Sequence, residues 1–162
     1  MTFRPLPNFL VFALLASVVG ISASPASAAN IWRAKTSGTL VTLRYGPLDE
    51  RANAPFLLSC LNGIGIAVLS VNMDFPEREA GEAITIDFSA GDKTAEIAGE
   101  TASEDGTGLI YGESGDIAIT PLLKVLEQKG PVTMKSGANA IELSDLDRDV
   151  NVAEFDKDCA LD

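Results

Sequence analysis

Carboxylates are the side chains in this sequence that offer the widest choice of chemistry. The 162 residues include 23 acidic residues and no histidine. Without histidine the chain has no serine–histidine or cysteine–histidine nucleophile pair and no histidine-ligated zinc or copper site. A glycosidase needs only two carboxyl groups, one as acid and one as base or nucleophile. Two acid-rich loops offer candidates, with Glu77, Glu79 and Glu82 in one and Glu100, Glu104 and Asp105 in the other.

Cofactor motifs are missing from the sequence. It contains no GxSxG, no phosphate-binding GxxxxGK[ST] and no GxGxxG. Gly63 and Gly65 lie between two β-like runs, where glycine marks a turn or a bulge more often than a phosphate loop. Polar loops also collect acids without any catalytic role. We therefore assign no catalytic residue and no cofactor, and expect a protein that is not an enzyme.

The segment from residue 145 to residue 156 has spacing similar to that of an EF-hand calcium loop, with acids at the first, third, fifth and twelfth positions. Val150 replaces the glycine that such a loop needs for its sharp turn, and the closing residue is aspartate instead of a bidentate glutamate. These departures favour a solvated acidic turn that precedes a helix. The calcium-ligand candidates are Asp145, Asp147, Asp149, Asn151 and Asp156.

Residues 1–28 have the composition of a cleavable export signal. Arg4 precedes the apolar run from Phe9 to Ile21, and the small residues Ala26, Ser27 and Ala28 follow it, as signal peptidase requires. The apolar run is shorter than the roughly 20 residues that span a bilayer. We expect cleavage after residue 28 or 29, a single exported domain over residues 29–162 without a stable membrane span, and a periplasmic location, with further secretion as the open alternative.

Two cysteines, Cys60 and Cys159, are the only ones in the chain. In an oxidising compartment an even number of cysteines favours a disulfide, and two cysteines allow one pairing. A redox-active pair normally has the Cys-x-x-Cys spacing, whereas these two are far apart. The sequence therefore predicts a structural Cys60–Cys159 bond.

The formal net charge is −11, so the chain is strongly acidic. Such a charge disfavours nucleic acid and anionic lipid surfaces and steers basic partners toward the protein at low salt. Acidity also keeps an exported protein soluble. It excludes nucleic acid as a partner but does not identify the partner.

Short alternating runs separated by Gly, Pro, Asn and Asp predict a β-rich fold. The clearest is Ala83–Phe88, in which Ile84, Ile86 and Phe88 share one face. Residues 99–108 are predicted to form an exposed loop, and residues 112–115 a turn. The predicted strands are residues 39–45, 55–60, 63–71, 83–88, 93–98, 109–111, 116–119, 131–135 and 138–143.

Two short helices complete the prediction. Thr120 is a candidate N-cap with Pro121 at the first helical position, and Gly130 ends that helix. Asn151 and Glu154 form a capping-box pattern that opens the second helix, whose inward residues include Cys159. Without any strand–helix alternation, the pattern predicts a mainly β (α+β) fold, an antiparallel β-sandwich or barrel-like sheet with two short helices.

Trp32 is the only tryptophan and lies on the expected first strand. It either anchors that strand in the core or is exposed as a binding residue, and residue class favours burial.

Trp32 soon after the signal, Cys60 on an early strand and the helix ending Phe155-x-x-x-Cys159 resemble the invasion-associated locus B family of small alphaproteobacterial proteins. The resemblance covers the mature chain in outline. It implies an exported β-sheet protein, linked in some members to host association, and it carries no catalytic residues.

The sequence therefore predicts a non-catalytic exported binding or accessory protein, whose partner is a protein or envelope component. A small carboxylate-dependent enzyme acting on a glycan is the first alternative. A calcium-stabilised module is the second.

Overall fold

The computed structural model describes residues 29–49, 53–62 and 66–159. The predicted export signal and the Gly63–Gly65 segment lie outside these residues. Within them, no helix has the length and apolar character needed to cross a bilayer.

The described residues form a single antiparallel sheet and two helices. Along the sheet the strand order is β1-β2-β3-β4-β7-β6-β5-β8-β9, and the sheet curls into a half-barrel. This confirms the predicted antiparallel, barrel-like sheet with two helices. The elements are β1 (Ile31–Ser37), β2 (Leu40–Gly46), β3 (Phe56–Leu61), β4 (Ile66–Val71), β5 (Ala83–Ala90), β6 (Lys93–Ser103), β7 (Ile110–Gly115), α1 (Ile119–Leu126), β8 (Val132–Ser136), β9 (Asn139–Leu143) and α2 (Arg148–Cys159).

One face of the sheet, here called the core face, packs with both helices into a single hydrophobic core. Strand alternation places Phe56, Phe88 and Leu69 there, and Phe155 of α2 joins them. The opposite face of the sheet, called the outer face, carries the residues between them in sequence.

The β6 strand is longer than predicted. Residues 99–103 continue it instead of entering an exposed loop. Thr101 is buried, and its hydroxyl donates to the carbonyl of Glu79 and accepts from the N–H of Glu82 at 3.0 Å. These bonds hold the loop before β5 against β6, so the polar composition of this stretch reflects contacts within the protein.

The predicted pair of short strands around residues 112–115 is wrong, because Ile110–Gly115 forms the continuous strand β7 and Ile119 begins α1. Gly112 lies on the core face. A Cβ atom there would approach Ile84 Cδ1 to 2.7 Å and Val71 Cγ2 to 2.9 Å. Glycine is present because core side chains fill its space, so it does not mark a turn.

Both helices begin earlier than predicted. Ala118, not Thr120, is the N-cap of α1, and no side chain caps it. Pro121 is tolerated in the first turn because backbone N–H groups there have no acceptor within the helix. The second helix begins at Arg148 instead of Asn151, whose side chain donates to the carbonyl of Asp147 at 2.6 Å.

Arg148 is a buried cation, with 2% of its surface exposed. Its guanidinium donates to the carbonyls of Leu126 at 2.7 Å, Gly130 at 2.8 Å and Gln128. These carbonyls belong to the last residue of α1 and to the segment that follows it, where carbonyl groups have no acceptor role within the helix. Burial lowers the pKa of Arg148. The side chain therefore joins α2 to the end of α1.

The predicted disulfide is confirmed. The Sγ atoms of Cys60 on β3 and Cys159 at the end of α2 are 2.09 Å apart. The same helix covers the edge strand β1, where the N–H of Ala34 donates to Asn151 Oδ1 at 2.8 Å. Thr36 Oγ1 also donates to Asp158 Oδ2 at 2.6 Å. One edge of the sheet is thus closed by α2.

Candidate functional site

A groove of about 380 Å³ opens on the outer face at one end of β3, β4 and β7. We call it the Tyr111 groove. Its lining includes Leu57, Ser70, Asn72, Glu104, Asp105 and Tyr111.

Strand alternation explains why these residues meet. Leu57 and Ser70 are direct neighbours between β3 and β4, and each is flanked in sequence by core residues. Ser70 is in turn paired with Glu113 on β7. Glu104 and Asp105 belong to the connection from β6 to β7 and close one end of the groove. The site is therefore assembled from three strands and one loop that are distant in sequence.

Tyr111 is the half-buried aromatic residue of the groove. Its hydroxyl donates a long hydrogen bond of 3.4 Å to Glu113 Oε2. Burial raises the pKa of Tyr111, and the negative charges of Glu113, Asp105 and Glu104 raise it further. The phenol is therefore a neutral hydrogen-bond donor across the physiological range, in the field of three carboxylates.

Glu113 and Glu100 form a pair of like charges beside the groove. They are direct partners across β6 and β7, both on the outer face. Among the described residues, no lysine or arginine forms an ion pair with either carboxylate. Like charges in directly opposed positions destabilise a sheet. Within the described part of the chain, this negative pair is therefore not neutralised by an ion pair.

In the first predicted acid cluster, Glu82 has a structural role. Glu82 accepts from the N–H of Glu79 at 3.0 Å and pairs with Arg78 Nη1 at 2.7 Å. The bond from the Glu79 N–H, and next that from Arg78, lowers the pKa of Glu82. A carboxylate held ionised in this way fixes a turn and is a poor proton donor.

The second predicted cluster is divided by the structure. Glu104 and Asp105 line the Tyr111 groove, whereas Glu100 lies on the outer face of β6 opposite Glu113. The hydroxyl of Thr107 donates to Glu104 Oε2 at 2.6 Å and orients that carboxylate.

The calcium candidates do not assemble into a site. The residues from 148 onward are helical, so Asp149, Asn151 and Asp156 follow the turns of α2 instead of encircling an ion. Asp149 Oδ1 accepts from the N–H of Val150, and Asn151 bonds to Asp147 and Ala34. In the part of the chain that the structure describes, no group of three or more metal-ligating side chains converges.

Trp32 is a core residue, since 3% of its surface is exposed. Its ring packs against Tyr45 and Phe56, with centroids 5.0 and 5.5 Å away. Its Nε1 donates to the carbonyl of Ser144 at 2.6 Å. The structure confirms burial, the alternative that residue class favoured, and the indole is not exposed as a binding residue.

Sequence reasoning missed the pairing of Tyr111 with Glu113. The predicted turn at residues 112–115 concealed that Glu113 continues the strand and shares a face with Tyr111. Strict alternation from Ile110 to Ser114 was the available signal, since Gly112 fills a core position.

No family model, curated protein or solved structure matches this chain. The geometry of the Tyr111 groove therefore carries the functional argument.

Proposed function

We propose that this chain is a non-catalytic binding protein, exported to the periplasm, that engages a protein or envelope component through the Tyr111 groove. The observation that carries the proposal is the position of Tyr111, a half-buried aromatic wall with a neutral hydroxyl in an open groove. The resemblance to the invasion-associated locus B family supports an envelope or host-interaction setting.

The chemistry of the groove favours binding over catalysis. Among the residues that the structure describes, the carboxylates lining the groove are Glu104 and Asp105, which are adjacent in sequence and lie in one loop. Leu57, Ser70 and Asn72 supply alkyl, hydroxyl and amide groups, which contact ligands without transferring protons near neutral pH. Pockets with an apolar or aromatic surface and a few polar groups are typical of ligand sites.

Capture from envelope extract tests this proposal when three forms of the oxidised protein are compared. Tyr111→Ala removes the aromatic wall, and Thr85→Ala removes an exposed outer-face side chain on β5, away from the groove. We expect one partner to be retained by the wild type and by Thr85→Ala and lost with Tyr111→Ala. Equal retention by all three forms contradicts a binding role for this groove. Trp32→Ala is unsuitable because it would open a cavity in the core.

A carboxylate enzyme acting on glycans is the second candidate, because Glu104 and Asp105 do line a groove. It predicts oligosaccharide cleavage that falls by about 10²-fold or more in Glu104→Gln or Asp105→Asn, the loss expected for an acid–base residue. Reducing-end release from envelope glycans by both variants and by the wild type is the measurement. Absence of turnover in the wild type removes this candidate.

A further inference from the structure

We infer that the Tyr111 groove receives an extended peptide segment of a partner protein, and that a lysine or arginine side chain of this segment binds among Glu104, Asp105 and Glu113 beside the Tyr111 hydroxyl. This inference rests on the proposed function and names the chemistry of its ligand.

Charge is the first step of the argument. Three carboxylates act on the Tyr111 hydroxyl, and Glu113 faces Glu100 across the strands with no described cation between them. A cation placed there relieves the repulsion and gains charge-assisted hydrogen bonds. The aromatic ring adds a cation–π surface. The net charge of −11 also steers a basic segment toward the protein.

The spacing of the acids selects the kind of cation. Among the residues that the structure describes, no three acidic or other metal-ligating side chains are close enough to hold a metal ion. A guanidinium or ammonium group is larger than a metal ion and carries several N–H donors. It can therefore donate hydrogen bonds to carboxylates that are too far apart to bind one metal ion. The site therefore favours an organic cation.

The length of the surface favours a peptide over a small polyamine. The Tyr111 groove shares Leu57 with a groove of about 530 Å³ over β1 and β2. It shares Asn72 and Leu109 with another of about 500 Å³ beside Phe75. Leu109 is 38% exposed. The lining of the groove over β1 and β2 includes Arg33, Lys35 and Arg44, so apolar neighbours of a basic residue in an extended chain would contact the surface beside Leu109 and Phe75, which a single small cation leaves empty.

A titration monitored by amide chemical shifts tests the inference. The oxidised protein, purified after export, is titrated at low salt with a capped heptapeptide that has one central lysine in an alanine and serine background. Two further arms use the same peptide with norleucine in place of lysine, and free spermidine. The charge test compares Glu104→Gln/Asp105→Asn with Glu127→Gln/Glu154→Gln, which changes the net charge equally at exposed helical and post-helical positions.

We expect the lysine peptide to shift the amide signals of Ser70, Tyr111 and Glu113. The norleucine peptide should bind the wild type about tenfold more weakly, and the lysine peptide should bind the groove double variant about tenfold more weakly. The control double variant should stay within about twofold of wild type. If the norleucine peptide binds as tightly as the lysine peptide, or if both double variants weaken peptide affinity equally, the inference that the groove acids bind a cation is overturned. If spermidine binds as tightly as the peptide, or if the peptide causes no shift, the inference that the ligand is a peptide segment is overturned. If the titration fails but capture still depends on Tyr111, the proposed function remains supported and only the peptide inference is overturned. If both experiments fail, the proposed function is overturned as well.

Discussion

At the scale of single residues, Tyr111 combines a structural and a chemical role. Its ring forms a wall of the groove while its hydroxyl stays protonated, because burial and three nearby negative charges oppose the phenolate. A protonated phenol can donate to a ligand carbonyl or to Glu113, whereas a phenolate could only accept. The acids thus extend to higher pH the range in which this side chain is a donor.

The titration of Tyr111 follows from this arrangement. Because burial, and after it the charge of Glu113, raises its pKa, its phenolate should form at higher pH than that of a solvated tyrosine. The tyrosinate absorbance of wild type minus that of Tyr111→Phe isolates it from Tyr45. In Glu113→Gln the midpoint should shift to lower pH, since one negative charge is gone. An unchanged midpoint in Glu113→Gln would contradict electrostatic coupling between the two side chains.

Residue identity alone predicted some contacts and missed others. Cys60 and Cys159 were paired correctly because the chain offers one pairing. The role of Arg148 could not be predicted, because its acceptors are backbone carbonyls at the end of α1 and just after it, about 20 residues earlier in the chain. The Tyr111 groove was also missed, since its residues come from separate strands.

At the scale of elements, the close approach of β6 and β7 sets the Glu100–Glu113 pair. Gly99 precedes Glu100, and a Cβ atom on it would lie 2.4 Å from the carbonyl oxygen of Glu113. Any larger residue must therefore push the two backbones apart. The glycine is what lets the strands meet in the register that forms the acidic pair.

Substitution of this glycine should be costly. Gly99→Ala is expected to lower the free energy of unfolding by about 2 kcal/mol, because the clash is with backbone and cannot be relieved by a rotamer change. Gly115→Ala on β7 is the matched control, since a Cβ there meets nothing within 4 Å, and a change below about 0.5 kcal/mol is expected. Urea unfolding of both variants is the measurement. Equal stability of the two would show that β6 and β7 adapt freely.

Strict alternation of buried and exposed residues made some elements predictable, whereas a glycine led to the wrong prediction of another. The β5 strand was recognised because Ile84, Ile86 and Phe88 alternate with exposed residues. The β7 strand was divided because Gly112 looked like a turn residue, although it occupies a packed core position. Local pattern cannot distinguish a glycine required by close packing from one required by a turn. That distinction depends on Val71 and Ile84, which are distant in sequence.

At the scale of the whole molecule, one core joins both helices to the sheet, and the disulfide ties α2 to β3. Cys60 lies on β3 and Cys159 on α2, 99 positions apart. Composition and turn residues sufficed to predict a barrel-like antiparallel sheet with two helices. The order of strands could not be predicted, because it depends on long-range pairings such as β4 with β7.

Reduction of this bond should destabilise the protein strongly. A cross-link across 99 positions restricts the unfolded chain, and its loss is expected to lower the free energy of unfolding by up to about 4–5 kcal/mol. Thermal unfolding with and without reductant measures the effect. A Cys60→Ser/Cys159→Ser variant should unfold near the temperature of the reduced wild type and show no response to reductant. A reductant effect of similar size in that variant would assign the change to something other than this bond.

The placement of the two cysteines also imposes an order in time. The chain is made from its N-terminal end, so Cys60 is synthesised well before Cys159, and no other cysteine is present. During that interval the Cys60 thiol can form a disulfide only with another molecule, by exchange with its disulfide or by joint oxidation with its thiol. An oxidant that acts too early yields mixed disulfides, whereas one that acts after α2 has docked yields the native bond. We therefore expect the timing of oxidation, as well as its strength, to affect the yield of correctly bonded protein.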